Sequence, residues 1–386
     1  MRVNYITSQS LSTASGGWSG LSHNLYHQLA SEKDLQINYA GPVHPPVSRA
    51  AKLVSKARRI LGGRGRFYAF SEERLEAIHR QVRAARRPAD YDLFLGATPW
   101  VRCRFEQPYG AYLDACFRTY FDNNLRTSEF SREDARRIER QEKEWLEKAH
   151  TVFWASAWSR DEAIRHYGLS SENHVVASIG GNLAPPASDT YAAEISFLFI
   201  AQNFALKGGP IACAALQAVR RRHPEATLTV LGQQPPAEYA RMPGVRYAGY
   251  LRKTEPDQLA QFRSILASSF CLVHPTQSDT IAQGIVEAAY FGCPSIAPRR
   301  FAIPELILDR QTGVLVDTPF TPGDIEREML WMLEQPARYA ELRRAARSHA
   351  VQNLNFETVG KRIVQRMSKQ GSPEAKSSQG MTVDSR

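Results

Sequence analysis

Hydrophobic positions along the chain fall into two successive series. Each consists of short apolar runs followed by stretches with helical spacing. In the first series, Arg2–Thr7 reads as an opening strand, and Leu21–Ala30 as a helix with Leu21, Leu25 and Leu29 on one stripe. Strands are predicted at Leu35–Ala40, Tyr91–Gly96 and Thr151–Ala155, and a long charged helix at Arg132–Lys148. This alternation implies a parallel sheet with helices on both faces. At Ser178–Ser188 the chain turns to Gly, Pro and Ser, a linker composition. The pattern then restarts, with strands at Ser196–Ala201, Thr227–Gly232, Phe270–Val273 and Ser295–Ala297. Helices fall at about Pro210–Arg222 and Gln283–Phe291. Two α/β halves facing each other across a cleft are therefore expected, with ligands at the carboxyl ends of the strands. From Ser368 onward the composition is that of a disordered tail.

A length of 386 residues exceeds what one hydrophobic core usually serves, which agrees with two domains. With 43% hydrophobic and 23% charged residues, no run long enough for a membrane span and no secretory pattern in the first ten residues, a cytoplasmic protein is expected. Five cysteines without a paired motif read as small buried residues in a reducing compartment. The net charge of +10 is concentrated between Ser48 and Arg87, where twelve basic side chains meet three acids. Within that segment, residues 48–61 place Leu53, Val54, Ala57, Ile60 and Leu61 on one helical face, and Arg49, Lys52, Lys56 and Arg59 on the other. Such a helix packs its apolar face on a core, grips a phosphate-bearing ligand, or lies on an anionic membrane surface, which would make the protein peripheral at the inner face of the membrane. Nucleic acid is not expected as a partner, because zinc-finger, aromatic RNA-binding and basic-zipper signatures are all missing.

Three loops feeding helices carry the candidate chemistry. Gly16-Gly17-Trp18-Ser19-Gly20 follows the first strand, and its glycines let backbone N–H groups approach a ligand. Lys207-Gly208-Gly209-Pro210 follows the first strand of the second half and pairs a mobile cation with free backbone donors, a combination suited to a diphosphate. In the third loop, Asp279 and Glu287 flank a small Gly-containing turn, with Glu287 expected in the first turn of the following helix. Carboxylates there can accept hydrogen bonds from sugar diols. Each of these residues also has an ordinary structural explanation when taken alone.

Together the segments resemble glycosyltransferase family 4, the retaining enzymes of the GT-B fold, over nearly the whole chain to about residue 367. Asp279-x7-Glu287 with the following Ala-Ala-Tyr-Phe-Gly-Cys-Pro, Pro304-Glu305 and Thr312-Gly313-Val-Leu-Val carry the likeness. So do Lys207-Gly-Gly, Tyr112-Leu-Asp114-Ala-Cys-Phe117, Ala155-Ser156-Ala-Trp158 and Gly180-Gly-Asn182-Leu183. The resemblance implies an α/β protein of GT-B architecture: an acceptor-side Rossmann-like domain at 1–185, a nucleotide-sugar domain at 186–351, a C-terminal helix within 352–367 crossing back to the first domain, and a tail at 368–386. It implies transfer of a sugar from a nucleotide-diphosphate sugar to the hydroxyl of a glycan or lipid-linked acceptor, with no metal and no further cofactor.

By the same resemblance Lys207 contacts the donor diphosphate, Asp279 lies near the donor sugar and Glu287 holds the ribose hydroxyls. Gly16 and Gly17 close over the phosphate, and Asp114 orients the acceptor hydroxyl. Gln202, Gly208, Gly209, Thr280, Ile281, Ala282, Gln283 and Gly284 complete the donor set. Two positions depart from the family pattern: Asp279 stands where glutamate is usual, and Gln202 or Ala201 where an arginine is common. They keep open a non-transferring sugar-nucleotide enzyme, such as a hydrolysing epimerase, and a carbohydrate-binding scaffold on a decayed version of the fold.

Overall fold

The computed structural model describes residues 1–11, 18–124, 131–192 and 194–369. The strands of the first half are β1 (Arg2–Ile6), β2 (Gln36–Ala40), β3 (Tyr91–Leu95), β4 (Tyr109–Leu113), β5 (Thr151–Trp154) and β6 (His174–Val176). Those of the second are β7 (Ser196–Ala201), β8 (Thr227–Gly232), β9 (Val245–Gly249), β10 (Cys271–Val273), β11 (Ser295–Pro298) and β12 (Gly313–Val316). They form two parallel sheets, ordered β2-β1-β3-β4-β5-β6 and β12-β11-β10-β7-β8-β9. Each order reverses once, between β1 and β3 and between β7 and β10. Loops leaving the strands on either side of such a reversal diverge and leave a crevice.

The middle strands are buried on both faces, as parallel sheets require. All five residues of β3 and all five of β4 are buried. Strand β4 (Tyr-Gly-Ala-Tyr-Leu) was not among the expected strands, because a central glycine weakens a strand signal. Here the glycine is sterically required: a Cβ on Gly110 would lie 2.3 Å from the Tyr91 hydroxyl and 2.5 Å from the Thr151 carbonyl oxygen. All five cysteines are buried and free.

The connection at 178–188 is docked rather than loose. A Cβ on Gly180 would stand 2.6 Å from the Phe356 ring, and one on Gly181 2.7 Å from the Tyr290 ring. The Gly181 N–H donates to the Tyr290 hydroxyl at 3.1 Å. Helix Phe356–Lys369 runs back onto the first half. It packs on helix Trp18–Ala30, and its Arg362 and Arg366 reach the carbonyls of Ala177 and Glu172 at 3.3 and 3.1 Å. It extends to Lys369, two residues into the stretch expected to be tail; residues 370–386 lie outside the described residues.

The basic segment forms helix Arg49–Ile60, capped by Ser48. Its only buried residue is Ser55, whose hydroxyl accepts from the Arg66 N–H at 3.0 Å and donates to the Arg66 carbonyl at 3.2 Å. Leu53, Val54, Ile60 and Leu61 are 67%, 49%, 74% and 85% exposed. The core-packing alternative is thereby overturned: among the described residues, no neighbouring element covers the apolar face. Among the described residues, no helix is long and apolar enough to cross a membrane.

Arg343 fastens the connection to the second half. It is 4% exposed and donates from Nε and Nη2 to the Asp189 carboxylate at 2.8 and 2.7 Å. It also donates to the carbonyls of Ser269 and Phe291 at 3.0 Å each, and its guanidinium lies 4.1 Å from the centre of the Tyr191 ring. Removing one member of such a pair leaves carboxylate and carbonyls desolvated without a donor. Arg343→Leu is expected to lower unfolding free energy by about 3 kcal/mol in urea titrations; a loss below about 0.5 kcal/mol would show that this network does not hold the connection.

Candidate active site

The loops leaving β7 and β10 flank the reversal of the second sheet and enclose a cavity of about 600 Å³. Lys207 and Gln202 enter it from the first loop, and Asp279, Ile281, Ala282, Gln283, Gly284 and Glu287 from the second. The Lys207 ammonium donates to Asp279 Oδ2 and to the Ser278 carbonyl, each at 2.7 Å. His274 Nε2 stands 3.1 Å from the same Oδ2, and the Thr280 N–H donates to Oδ1 at 3.0 Å. Both Asp279 oxygens are therefore engaged within the protein. Asp279 is thus the counter-charge that positions Lys207.

Glu287 is 4% exposed and sits in the second turn of helix Gln283–Tyr290, one turn deeper than expected. Its Oε1 accepts from the Lys253 ammonium at 2.5 Å and the Asn182 N–H at 3.0 Å. Gln283 accepts from Asn182 Nδ2 at 3.1 Å. Lys253 and Arg252, which follow β9, line the same cavity and were not predicted; neither belongs to a motif with a readable spacing.

Two expectations about this loop set change, and one is not tested. Gly208 and Gly209 do not offer free backbone donors, since their N–H groups bond to the carbonyls of Ala205 and Phe204 at 3.0 and 2.8 Å. Their role is steric. Gly208 has φ +83°, and a Cβ there would fall 2.0 Å from the Pro275 carbonyl oxygen, so glycine lets the two loops touch. Thr280 does not line the cavity but turns to the other half. Gly16 and Gly17 lie outside the described residues.

On the opposite wall, Asp114 follows β4, and its Oδ2 accepts from the Thr280 hydroxyl at 3.2 Å. It lies at the edge of a second cavity, of about 420 Å³, at the β1/β3 reversal of the first sheet. Two further contacts bridge the cleft. The Glu305 carboxylate accepts from the N–H groups of Ala157 and Trp158, at 2.7 Å each, at the start of helix Ala157–Tyr167. The Ser278 hydroxyl donates to the Asn123 carbonyl.

The family described as "Glycosyl transferases group 1" matches residues 194–335, the segment that builds the larger cavity. Over that segment the chain is similar to this family. Over 161 residues it is 27% identical to "Glycogen synthase" of Mycobacterium tuberculosis, covering 40% of this chain and 37% of that protein. Over 171 residues it is 30% identical to "GDP-mannose-dependent alpha-(1-6)-phosphatidylinositol monomannoside mannosyltransferase" of Mycolicibacterium smegmatis, covering 42% and 44%. The chain thus spans less than half the length of these relatives. Sucrose-phosphate synthase from Thermosynechococcus elongatus superposes with a TM-score of 0.67 at 16% identity, covering 96% of this chain and 99% of that one. Anabaena HepE in complex with UDP-glucose gives 0.63 at 17%, covering 96% and 100%. The two lobes together have the GT-B fold.

In the larger cavity, burial pushes the Asp279 carboxyl up, but the His274 hydrogen bond and the Lys207 charge outweigh it and hold the group at about 2. Asp114 moves the other way. Burial lifts it to about 6, the Thr280 hydrogen bond opposes the rise, and the charge of Asp279 adds to it. A raised carboxyl favours folding when protonated, so this contribution is complete below about pH 3.8 and disappears as pH rises through about 6. Relative to wild type, Asp114→Asn is therefore expected to gain about 2 kcal/mol of stability between pH 4 and 7, read by urea unfolding across that range. Parallel pH profiles for the two proteins would contradict the raised carboxyl.

Proposed function

We propose that this protein transfers a glycosyl group from a nucleotide-diphosphate sugar to an acceptor hydroxyl, with retained anomeric configuration and without a metal. One observation carries the reading: Lys207, Asp279 and Glu287 line a single cavity at the β7/β10 reversal, and Asp114 meets its edge from the opposite lobe. Relatives named for GDP-mannose and structures holding UDP or UDP-glucose support a nucleotide-sugar donor.

In this reading the diphosphate draws the Lys207 ammonium away from Asp279. Fixed positive charge then opposes the negative charge that builds as the glycosidic bond breaks. Glu287, with Oε1 held by Lys253 and Asn182, presents Oε2 to the ribose hydroxyls. Asp279 is a poor nucleophile while tied to Lys207 and His274, which favours attack by the acceptor from the leaving-group face over a glycosyl-enzyme intermediate. Asp114, with a carboxyl near 6, is largely ionised at neutral pH and can hold the acceptor hydroxyl.

We infer also that helix Arg49–Ile60 rests on an anionic bilayer. Exposed Leu53, Val54, Ile60 and Leu61 would enter the headgroup boundary, while Arg49, Lys52, Lys56 and Arg59 meet lipid phosphates. Ser55 is the only buried residue of this helix, so its apolar side chains are left facing outward.

A thermal-shift screen of UDP-, GDP-, ADP- and TDP-sugars should select a donor, and Lys207→Met is expected to reduce its turnover by about 10²- to 10³-fold. Unchanged turnover would remove Lys207 from the mechanism. Sedimentation with vesicles should show binding to phosphatidylglycerol-containing but not pure phosphatidylcholine vesicles, weakened by salt. The double variant Leu53→Asp, Ile60→Asp should lose that binding with its melting temperature intact. Equal binding to both vesicle types would defeat the bilayer reading.

A further inference from the structure

The cavity at the β1/β3 reversal differs in chemistry from the donor cavity. The two share no lining residue and meet only where Asp114 bonds Thr280. Trp18, Phe67, Tyr68, Phe70, Phe117 and Tyr120 dominate the lining of the first. A site for a bare saccharide must match several hydroxyls with polar groups, since an unpaired hydroxyl in an apolar wall is costly. Here Asp114 is the one carboxylate in the lining; the hydroxyls of Thr7 and Thr98 are already bonded to Ser22 and Glu142, and Ser8, Gln9 and Arg66 also line it.

The cavity is also preformed. Phe67, Phe117 and Phe121 pack edge-to-face or stacked at 5.3–5.6 Å between ring centres. Behind them the buried Glu142 accepts from the Thr98 hydroxyl at 2.7 Å and the Phe117 N–H at 2.6 Å, tying together the two loops that form the walls. Residues 66–70 lead into it directly from the exposed amphipathic helix, to which they are joined by the Ser55–Arg66 hydrogen bonds. Arg66 stands at its mouth.

We propose that this cavity takes the apolar chain of an amphiphilic acceptor, whose hydroxyl-bearing head is thereby delivered to Asp114. The acceptor is then lipid-like, a hydrocarbon chain carrying a sugar or polyol head, and not a free saccharide. This rests on the transfer reading and narrows it: the donor side leaves the acceptor open, and the aromatic walls choose a class. The position of the cavity supplies the geometry, because a chain seated among Phe70, Phe117 and Tyr120 ends next to the carboxylate that faces the donor cavity.

The test uses the full chain and n-alkyl glucosides from hexyl to decyl below their micelle concentrations, titrated against tryptophan fluorescence, with glucose as the chainless reference. Affinity is expected to rise about fourfold per added methylene until the cavity is full. Ala69→Trp, which fills the cavity, and Tyr120→Arg, which places a charge on its wall, should each remove that dependence. The Leu53→Asp, Ile60→Asp variant should keep it, which excludes the exposed helix as the chain's resting place. Nucleoside-diphosphate binding by calorimetry should stay unchanged in every variant and report that each is folded. Equal binding of glucose and decyl glucoside would overturn the proposal, as would a chain-length dependence that survives both cavity variants. If nucleoside diphosphates fail to bind the wild type, the donor reading falls, while the alkyl series still decides what this cavity holds.

Discussion

The hydrogen bond from Thr280 to Asp114 is the point on which the two halves of the site depend. It joins the carboxyl edge of one sheet to that of the other and marks the boundary between an apolar cavity and a polar one. It also lies between two carboxyls with opposite tendencies. Asp279 has an ammonium and an imidazole at hydrogen-bond distance and stays ionised to about pH 2. Asp114 has no cation in contact among the described residues, feels the charge of Asp279, and holds its proton to about 6. When the environments of two neighbouring carboxyls are pushed apart in this way, one is left to act near neutral pH while the other remains a fixed charge.

That contact survives only while the lobes are close, and three other features keep them so. Glu305 places its carboxylate on the N-terminus of helix Ala157–Tyr167, where two N–H groups without intrahelical partners and the helix dipole favour an anion. Trp158, next to it, packs edge-on against Phe301 with ring centres 5.7 Å apart. Behind the cleft, the connection at 180–182 is wedged against Tyr290 and Phe356, so the floor of the cleft and the crossing helix move as one packed unit. Both polar contacts at the front are partly exposed hydrogen bonds of modest net strength, so the front of the cleft can open while the back stays packed.

How far the sequence foretold this depended on what each signal encodes. Apolar runs such as Leu93–Leu95 of β3 and Phe197–Ala201 of β7 mark mostly buried strands, and these were legible although β3 also holds the buried Asp92, paired with Arg86. Strand β4 was hidden by Gly110, whose reason, the approach of Tyr91 and Thr151, is tertiary. Edge strand β9, Val-Arg-Tyr-Ala-Gly, is partly exposed and carries no apolar run. The Lys207 and Asp279–Glu287 loops were visible as motifs, but which oxygen met which cation was not. Lys253 stands 34 residues before Glu287 in a polar loop, and only the fold brings them within 2.5 Å. The amphipathic pattern of residues 48–61 was equally plain, yet periodicity reports a face without saying what covers it.

Gln202 stands where the family resemblance implies an arginine, and the charges around it show what the cavity holds instead. Gln202 lines the donor cavity without a charge, so Lys207 is the only cation of its loop there. Lys207 is balanced by Asp279 and Lys253 by Glu287, each in direct contact. Arg252, also in the lining, forms no ion pair among the described residues and leaves the cavity one positive charge in excess. In the proposed transfer a diphosphate needs more than that single charge, and the Lys207–Asp279 pair is where more can come from, because Asp279 keeps the Thr280 N–H at 3.0 Å and His274 at 3.1 Å when the ammonium turns to phosphate.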